Sequence, residues 1–314
     1  DGVKFFKKNN CDGVIAFGGG SGIDVGKAIA FMSGQILPLW DFEDIGDNWL
    51  KANSDKIVPI IAIPTTAGTG SEVTKFTIIT NEKTDEKMLC VGSGFMPKAA
   101  IIDYKLTLTL PKRTSADTGI DALTHAMEAY VSKKANTFSD AQALAAMKLI
   151  SPNLRKVYKN PHDENARESL MVGATLAGLA FSNSSVALVH GMSRPIGAFY
   201  HVPHGLSNAM LLPTITEYSI PFAEKRYAEC SKVMNLTQNN DDFKIANKKL
   251  INELYLLNKD LEVPSVIDFG INKKSFLENL DIMAKQAIAS GSPGNNPRVP
   301  SHSEVISLYK KLVQ

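Results

Sequence analysis

A short apolar run at residues 13–17 (GVIAF) ends on a glycine cluster, Gly18-Gly19-Gly20-Ser21, and a helical pattern over 22–32 follows at once. Strand, glycine turn and helix in that order is the unit from which parallel α/β sheets are built. A second buried run at 58–63 (VPIIAI) ends at Pro64 in a loop of threonines and glycines, PTTAGTGSE at 64–72. Residues 75–80 (KFTIIT) and 87–91 (KMLCV), separated by the polar NEKTDE, predict an antiparallel hairpin. Residues 99–103 (AAIID) predict the last strand of this part. Before all of these, GVKFFKKNN reads as the tail of a helix, and a sheet beginning here lacks its usual first strand and helix. The expectation is an N-terminally incomplete α/β domain.

After Pro111 the texture changes. Helical periodicity takes over at 116–131, 138–154 and 164–181 and continues towards the C-terminus, with a loop by chemistry at 290–298 (SGSPGNNPR). The predicted division is an α/β dinucleotide-binding domain at 1–110 and an all-α domain at 111–314, a size that 314 residues accommodate. The 34 basic residues nearly balance the 32 acidic ones, with no block of like charge, which argues against nucleic acid or an anionic membrane surface as partner. The longest apolar runs, such as 57–64, are too short to span a bilayer. Three scattered cysteines form neither a metal motif nor a disulfide framework, so a reducing, cytoplasmic setting is expected.

The two loops carry the first chemistry. Glycines between a strand and a helix let the backbone approach a ligand, and the helix N-terminus offers unpaired N–H groups and a positive dipole end, which suits a pyrophosphate. The cluster does not complete the G-x-G-x-x-G fingerprint, and an ordinary tight turn uses the same residues. The threonine loop also follows a buried strand, where open α/β sheets gather ligands. Its hydroxyls serve equally as turn and helix caps. Two such loops on one sheet edge favour a shared nucleotide cleft.

The metal candidates lie in the helical part. Asp121 and His125, four apart in GIDALTHAMEAY, share a helix face about 6 Å apart along the axis. That pair alone is a weak signal. His190 sits in an apolar helical stretch and His204 follows Pro203 at the start of another helix; a lone histidine in such places is more often a satisfied core residue. Five of the six histidines fall between 125 and 204, which favours a converging site. One carboxylate with three imidazoles suits Fe²⁺ or Zn²⁺ better than Ca²⁺ or Mg²⁺. Glu128, one turn beyond His125, reads either as a partner of these residues or as a solvated helix residue. His162 and His302 lie in polar surroundings and receive no role.

The chain resembles the iron-containing alcohol dehydrogenases. The likeness rests on GGGSGIDVGKAIA at 18–30, PTTAGTGSEVT at 64–74, TGIDALTHAMEAY at 118–130 and HGMSRPIGAFYHVPHGLSNAMLLP at 190–213, and SGSPGNNPR matches as well. It runs over essentially the whole chain in the family's order. The resemblance implies the dehydroquinate synthase-like architecture, with a parallel-sheet cofactor domain, an all-α metal-binding domain and the active site between them. It implies Asp121, His125, His190 and His204 as ligands of Fe²⁺ or Zn²⁺. Gly19, Gly20 and Ser21 would meet the pyrophosphate of NAD or NADP, and Thr65, Thr66, Thr74 and Lys87 would line the rest of the groove. The implied reaction is hydride transfer between a small alcohol or aldehyde and the nicotinamide, in a homo-oligomer of dimer size or larger.

Two departures accompany the resemblance. Four residues after His190, some members carry a histidine credited with proton relay; here Arg194 stands there and cannot readily accept a proton. A relay would then pass through His201 or water, and Arg194 would be free to hold a carboxylate or phosphate. The second is the N-terminal part, which in the family supplies the first strands and an acidic residue facing the adenosine ribose. Two rival readings share the fold: a lyase of the dehydroquinate synthase kind, which needs a crowd of cations that 118–213 lacks, and a metal-binding fragment without turnover.

Overall fold

The computed structural model describes residues 1–44, 47–80 and 87–314. Helix α1 (Gly2–Lys8) leads to β1 (Val14–Gly18), α2 (Gly20–Met32) and β2 (Ile60–Pro64). Strands β3 (Phe76–Thr80), β4 (Lys87–Val91) and β5 (Ala99–Ala100) complete the strand-rich part. β1, β2 and β5 form a parallel sheet in the order β1-β2-β5, with Ala16 opposite Ala62 and Ile61 opposite Ala99. β3 and β4 pair antiparallel, Phe76 opposite Val91 and Thr80 opposite Lys87, as the alternation of the two runs predicts. The turn expected at 81–86 lies outside the described residues. β5 is shorter than the apolar run 99–103, because pairing ends at Ala100 and Asp103 caps the next turn through Lys105 N.

One face of the sheet packs on α2. Ala16, Ile60 and Ala62 meet Ile23 and Ala30 there, a small core of short side chains. On the opposite face Ile15 (70% exposed), Phe17 (61%) and Ile101 (51%) stand open.

The helical part begins at Lys112. Helices α3 (Lys112–Val131), α4 (Thr137–Lys159) and α5 (Glu164–Ser184) form its centre, followed by α6 (Leu188–Tyr200) and α7 (His204–Ser219). Next come α8 (Glu224–Val233), α9 (Phe243–Asp260), α10 (Lys273–Glu278), α11 (Leu280–Ala289) and α12 (His302–Lys311). A single hydrophobic core runs through them. α3 is its axis: apart from Thr118, every residue from Ser115 to Val131 is buried. A helix buried all round is usually apolar all round. α3 instead carries Asp117, Asp121, Thr124, His125 and Glu128 inward, so these polar groups must find partners within the fold. α4 continues five residues beyond the predicted end and through Pro152. Leu154, Val157 and Tyr158 remain buried in the core, and this packing outweighs the proline's missing donor. Among the described residues, no single helix is both long and apolar enough to cross a membrane.

Candidate metal centre and cofactor cleft

Asp121 and His125 point from one face of α3, His190 comes from the first turn of α6, and His204 opens α7. Their ligand atoms all lie within 4.8 Å of one another. Asp121 Oδ1 is 3.8 Å from His125 Nε2, 3.5 Å from His190 Nε2 and 3.7 Å from His204 Nε2. Four ligands at tetrahedral corners around an ion would stand about 3.4 Å apart. The observed separations fit that spacing, so the donor set fits a Zn²⁺- or Fe²⁺-sized ion. All four residues named from the sequence converge.

Around this set stand two residues that fix it. Glu128 is buried, which removes its reading as a solvated helix residue. Its Oε2 lies 2.6 Å from His190 Nδ1, and its carboxylate accepts from Ala187 N (3.0 Å) and Val189 N (2.6 Å) at the start of α6. A carboxylate on Nδ1 sets the tautomer that leaves Nε2 facing the ion. Asn208, one turn beyond His204 on α7 and fully buried, donates from Nδ2 to Asp121 Oδ1 at 2.6 Å. Its Oδ1 is buried without a partner among the described residues. Asn208 escaped the sequence reading; its spacing of four from His204 was the available signal.

Electrostatics reports the same crowding. Burial alone would raise the Asp121 carboxyl, but the imidazoles of His125, His204 and His190 hold it well below the usual carboxylate range. Burial pushes His125 down to about 3. His190 is also buried, yet Glu128 and Asp121 raise it to about 9. His204 keeps 47% of its side chain exposed. The protein packed around the rest of its ring, with further help from His190, Arg194 and Lys87, pulls it down to about 4. A dication would balance the two buried carboxylates, Asp121 and Glu128, which are costly to hold uncompensated. His125 stacks on Phe181 with ring centroids 4.3 Å apart, and Phe181 on Phe76 at 5.7 Å, closing that side with apolar rings.

The two loops meet at the carboxyl ends of β1 and β2. Thr65 N donates to Gly18 O at 2.9 Å. A Cβ on Gly20 would stand 2.7 Å from Thr69 Cγ2, so the close approach of the loops excludes a side chain there. Gly19 caps α2, and neither a side-chain cap nor an acidic residue occupies its first turn, which leaves the N–H groups of Gly20 and Ser21 at a positive helix end. Thr66 Oγ1 is buried without a partner among the described residues. Both features fit a bound dinucleotide. Thr74 lies below the groove, its hydroxyl accepting from Lys27 Nζ (3.1 Å) and directed at Ser71 O (3.4 Å). Lys87 is exposed at the start of β4.

The second loop also packs against the helical part. Gly70 adopts φ +62° against Gly178 of α5, and a Cβ would lie 2.5 Å from the Gly178 Cα. Beneath it Lys27, fully buried, donates to Thr74 O (2.9 Å) and Phe76 O (2.8 Å), tying α2 to the loop and to β3. Burial lowers this lysine to about 8, against the pull of Asp24 and Glu72. Asp24 accepts from Ser71 Oγ (2.5 Å) and Ile78 N (3.0 Å). The sequence reading missed this network; Asp24 and Lys27 three apart in a helix entering a core were its signal.

Arg194 sits one turn beyond His190 on α6. His201 caps the end of that helix in a left-handed conformation, φ +55°, with its side chain exposed and outside the four-residue cluster.

Comparison with known proteins covers both parts of the chain. Residues 1–104 match the family described as iron-containing alcohol dehydrogenase, and residues 115–313 match its C-terminal part, described as Fe-containing alcohol dehydrogenase family, C-terminal. The chain is 34% identical to an NADPH-dependent butanol dehydrogenase of Clostridium saccharobutylicum, over 98% of this chain and 78% of that protein. It is 35% identical to the lactaldehyde reductase of Escherichia coli K12, over 98% of this chain and 79% of that protein. The crystallised alcohol dehydrogenase from Oenococcus oeni superposes with a TM-score of 0.92 at 33% identity, covering 99% of this chain and 79% of that one.

Proposed function

This chain belongs to the iron-containing alcohol dehydrogenase family, and from that premise we propose that Asp121, His125, His190 and His204 hold one divalent ion, Fe²⁺ or Zn²⁺, at the reacting end of a nicotinamide cleft. The protein is an oxidoreductase that interconverts alcohols with aldehydes or ketones using NAD or NADP. The observation that carries the site is the convergence of four ligand atoms within 4.8 Å, drawn from three helices. The lyase alternative is not favoured, because the matched relatives are alcohol dehydrogenases and aldehyde reductases.

When bound, the ion supplies Lewis acidity to the substrate oxygen and the nicotinamide exchanges hydride. The chain's own groups do the rest. Glu128 keeps the His190 Nδ1 proton in place, and Asn208 holds Asp121 at its oxygen. Gly19, Gly20 and Ser21 present helix N–H groups to the pyrophosphate, while Thr65, Thr66 and Lys87 line the groove and Lys27 fixes Thr74 and the hairpin beneath it. Phe181 and Phe76 keep water from the His125 side. Arg194 remains charged, so the hydroxyl proton leaves through water or His201. The balanced charge and the free thiols of Cys11, Cys90 and Cys230 support a cytoplasmic enzyme. We assign it as a homo-oligomer of dimer size or larger, without nucleic-acid or membrane partners.

The test is coenzyme oxidation by the full chain loaded anaerobically with Fe²⁺ or Zn²⁺ and given short aldehydes. Sustained loss of NADH or NADPH absorbance, abolished by a chelator and restored by the ion, is expected. A folded, metal-loaded protein that consumes neither coenzyme would leave the reading of a fragment without turnover.

A further inference from the structure

Six arginines occur in the chain, and five have well-made partners. Arg113 pairs with Asp117 and donates to Leu261 O, and Arg155 pairs with Glu253 and Asp260. Arg167 donates to Pro161 O and Ser115 Oγ, Arg226 pairs with Asp140, and Arg298 pairs with Glu304. Arg167, wholly buried, also lacks a carboxylate and keeps an unpartnered Nη2, but its other N–H groups have close acceptors; among the described residues Arg194 has no such close acceptor. It is half-buried, has no carboxylate within ion-pair distance, and reaches only Ser290 O, at 3.5 Å. That distance is at the limit of a hydrogen bond. A guanidinium only partly hydrated and without an anion is under-compensated, and its planar fork matches a carboxylate.

Its position gives the missing anion a place. Residues four apart share a helix face, so Arg194 projects on the side of α6 that carries His190, about 6 Å further along the axis. Glu128 cannot serve as its partner, being committed to His190 and two backbone amides. Asp121 is committed to the ligand set. No carboxylate among the described residues is therefore left free to pair with Arg194.

We propose that Arg194 is a specificity residue that binds a carboxylate on the substrate. The preferred substrates are then short hydroxy acids and the matching oxo acids, with the anion two or three carbons from the reacting carbon. This inference rests on the metal-centred dehydrogenase reading above and names the substrate class of that site.

The test separates binding from turnover. 4-Hydroxybutanoate and 1-butanol, equal in chain length, are titrated calorimetrically into the metal-loaded full chain without coenzyme, so that no reaction proceeds. Wild type should bind the hydroxy acid at least about tenfold more tightly, because truncating one partner of a buried charged pair costs at least that much. Arg194→Gln should abolish the difference. Arg194→Lys, which keeps the charge and loses the fork, should retain part of it. A carboxylate that simply sat on the ion would give the same preference in Arg194→Gln and overturn the assignment. Equal affinities in wild type would overturn it too. If Arg194→Gln weakened NADH binding as much as hydroxy acid binding, the guanidinium would serve the coenzyme and not the substrate. Metal analysis of the same samples separates the two readings: failure to load the ion removes the centre itself, and this inference with it.

Discussion

The two halves of the molecule are built to different depths. The helical part has one continuous core with α3 buried along its length, and every metal-ligand candidate stands on it. The strand-rich part has two small clusters, one of five buried residues between the sheet and α2, the other around Phe31 and Phe95, and leaves Ile15 and Phe17 open. An ion site needs ligands fixed to a few tenths of an ångström, and helices locked in a core provide that. A dinucleotide is held mostly by backbone N–H groups and loop hydroxyls. Those need only a strand end and a helix start, here braced by the buried Lys27.

Two isoleucines put this contrast to the sharpest trial. Ile150→Ala removes a fully buried side chain from α4 and should cost about 3 kcal/mol in chemical unfolding. Ile15→Ala, on the open sheet face, should change stability by less than about 0.5 kcal/mol. Comparable losses would mean that the outer sheet face is packed in solution. A smaller effect is expected at the centre itself. Glu128→Gln keeps the shape but loses the charge on His190 Nδ1, and the affinity for Zn²⁺ should fall by roughly 10–100-fold in competition with a chelator. An unchanged affinity would mean that the α6 amides alone position His190.

The effect most diagnostic of charge is on pH. In the metal-free chain His190 is raised to about 9, so at pH 7 it carries a proton that the ion must displace from Nε2. His125 and His204, down at about 3 and 4, are already neutral there and release none. Metal affinity should therefore rise about tenfold per pH unit from 7 towards 9 and level off above it, with close to one proton released per ion in buffers of different ionisation enthalpy. A flat profile across that range would show that His190 is neutral before the ion arrives.

The same contrast explains what could be read from the chain. β1, β2 and the hairpin strands announce themselves by short apolar runs ending in turn residues, and their residues pair as expected. The ligand candidates were legible because histidine is scarce and four of the relevant positions fall in two dense motifs. Asn208 and Lys27 were not, because asparagine and lysine in helices are ordinarily solvated, and for the same reason Glu128 was open to two readings. Only the burial of α2, α3 and α7 on the relevant faces turns them inward, and that is a property of the assembled core. Glu128 did leave one local trace, since Asp121, His125 and Glu128 stand at spacings of four and three on one helix face. The reading of α4 erred at its end, since the helix continues five residues past 154, where Val157 and Tyr158 are buried in the core.

The central claim is that Asp121, His125, His190 and His204 form one metal centre, and the most direct test is metal content per chain. Wild type and His190→Ala would be loaded anaerobically with Fe²⁺ or Zn²⁺, desalted, checked for helical content by circular dichroism, and analysed by mass spectrometry for bound metal. Close to one equivalent is expected in wild type and almost none in a folded His190→Ala. A folded wild type without stoichiometric metal, or a variant that keeps it, would contradict the account.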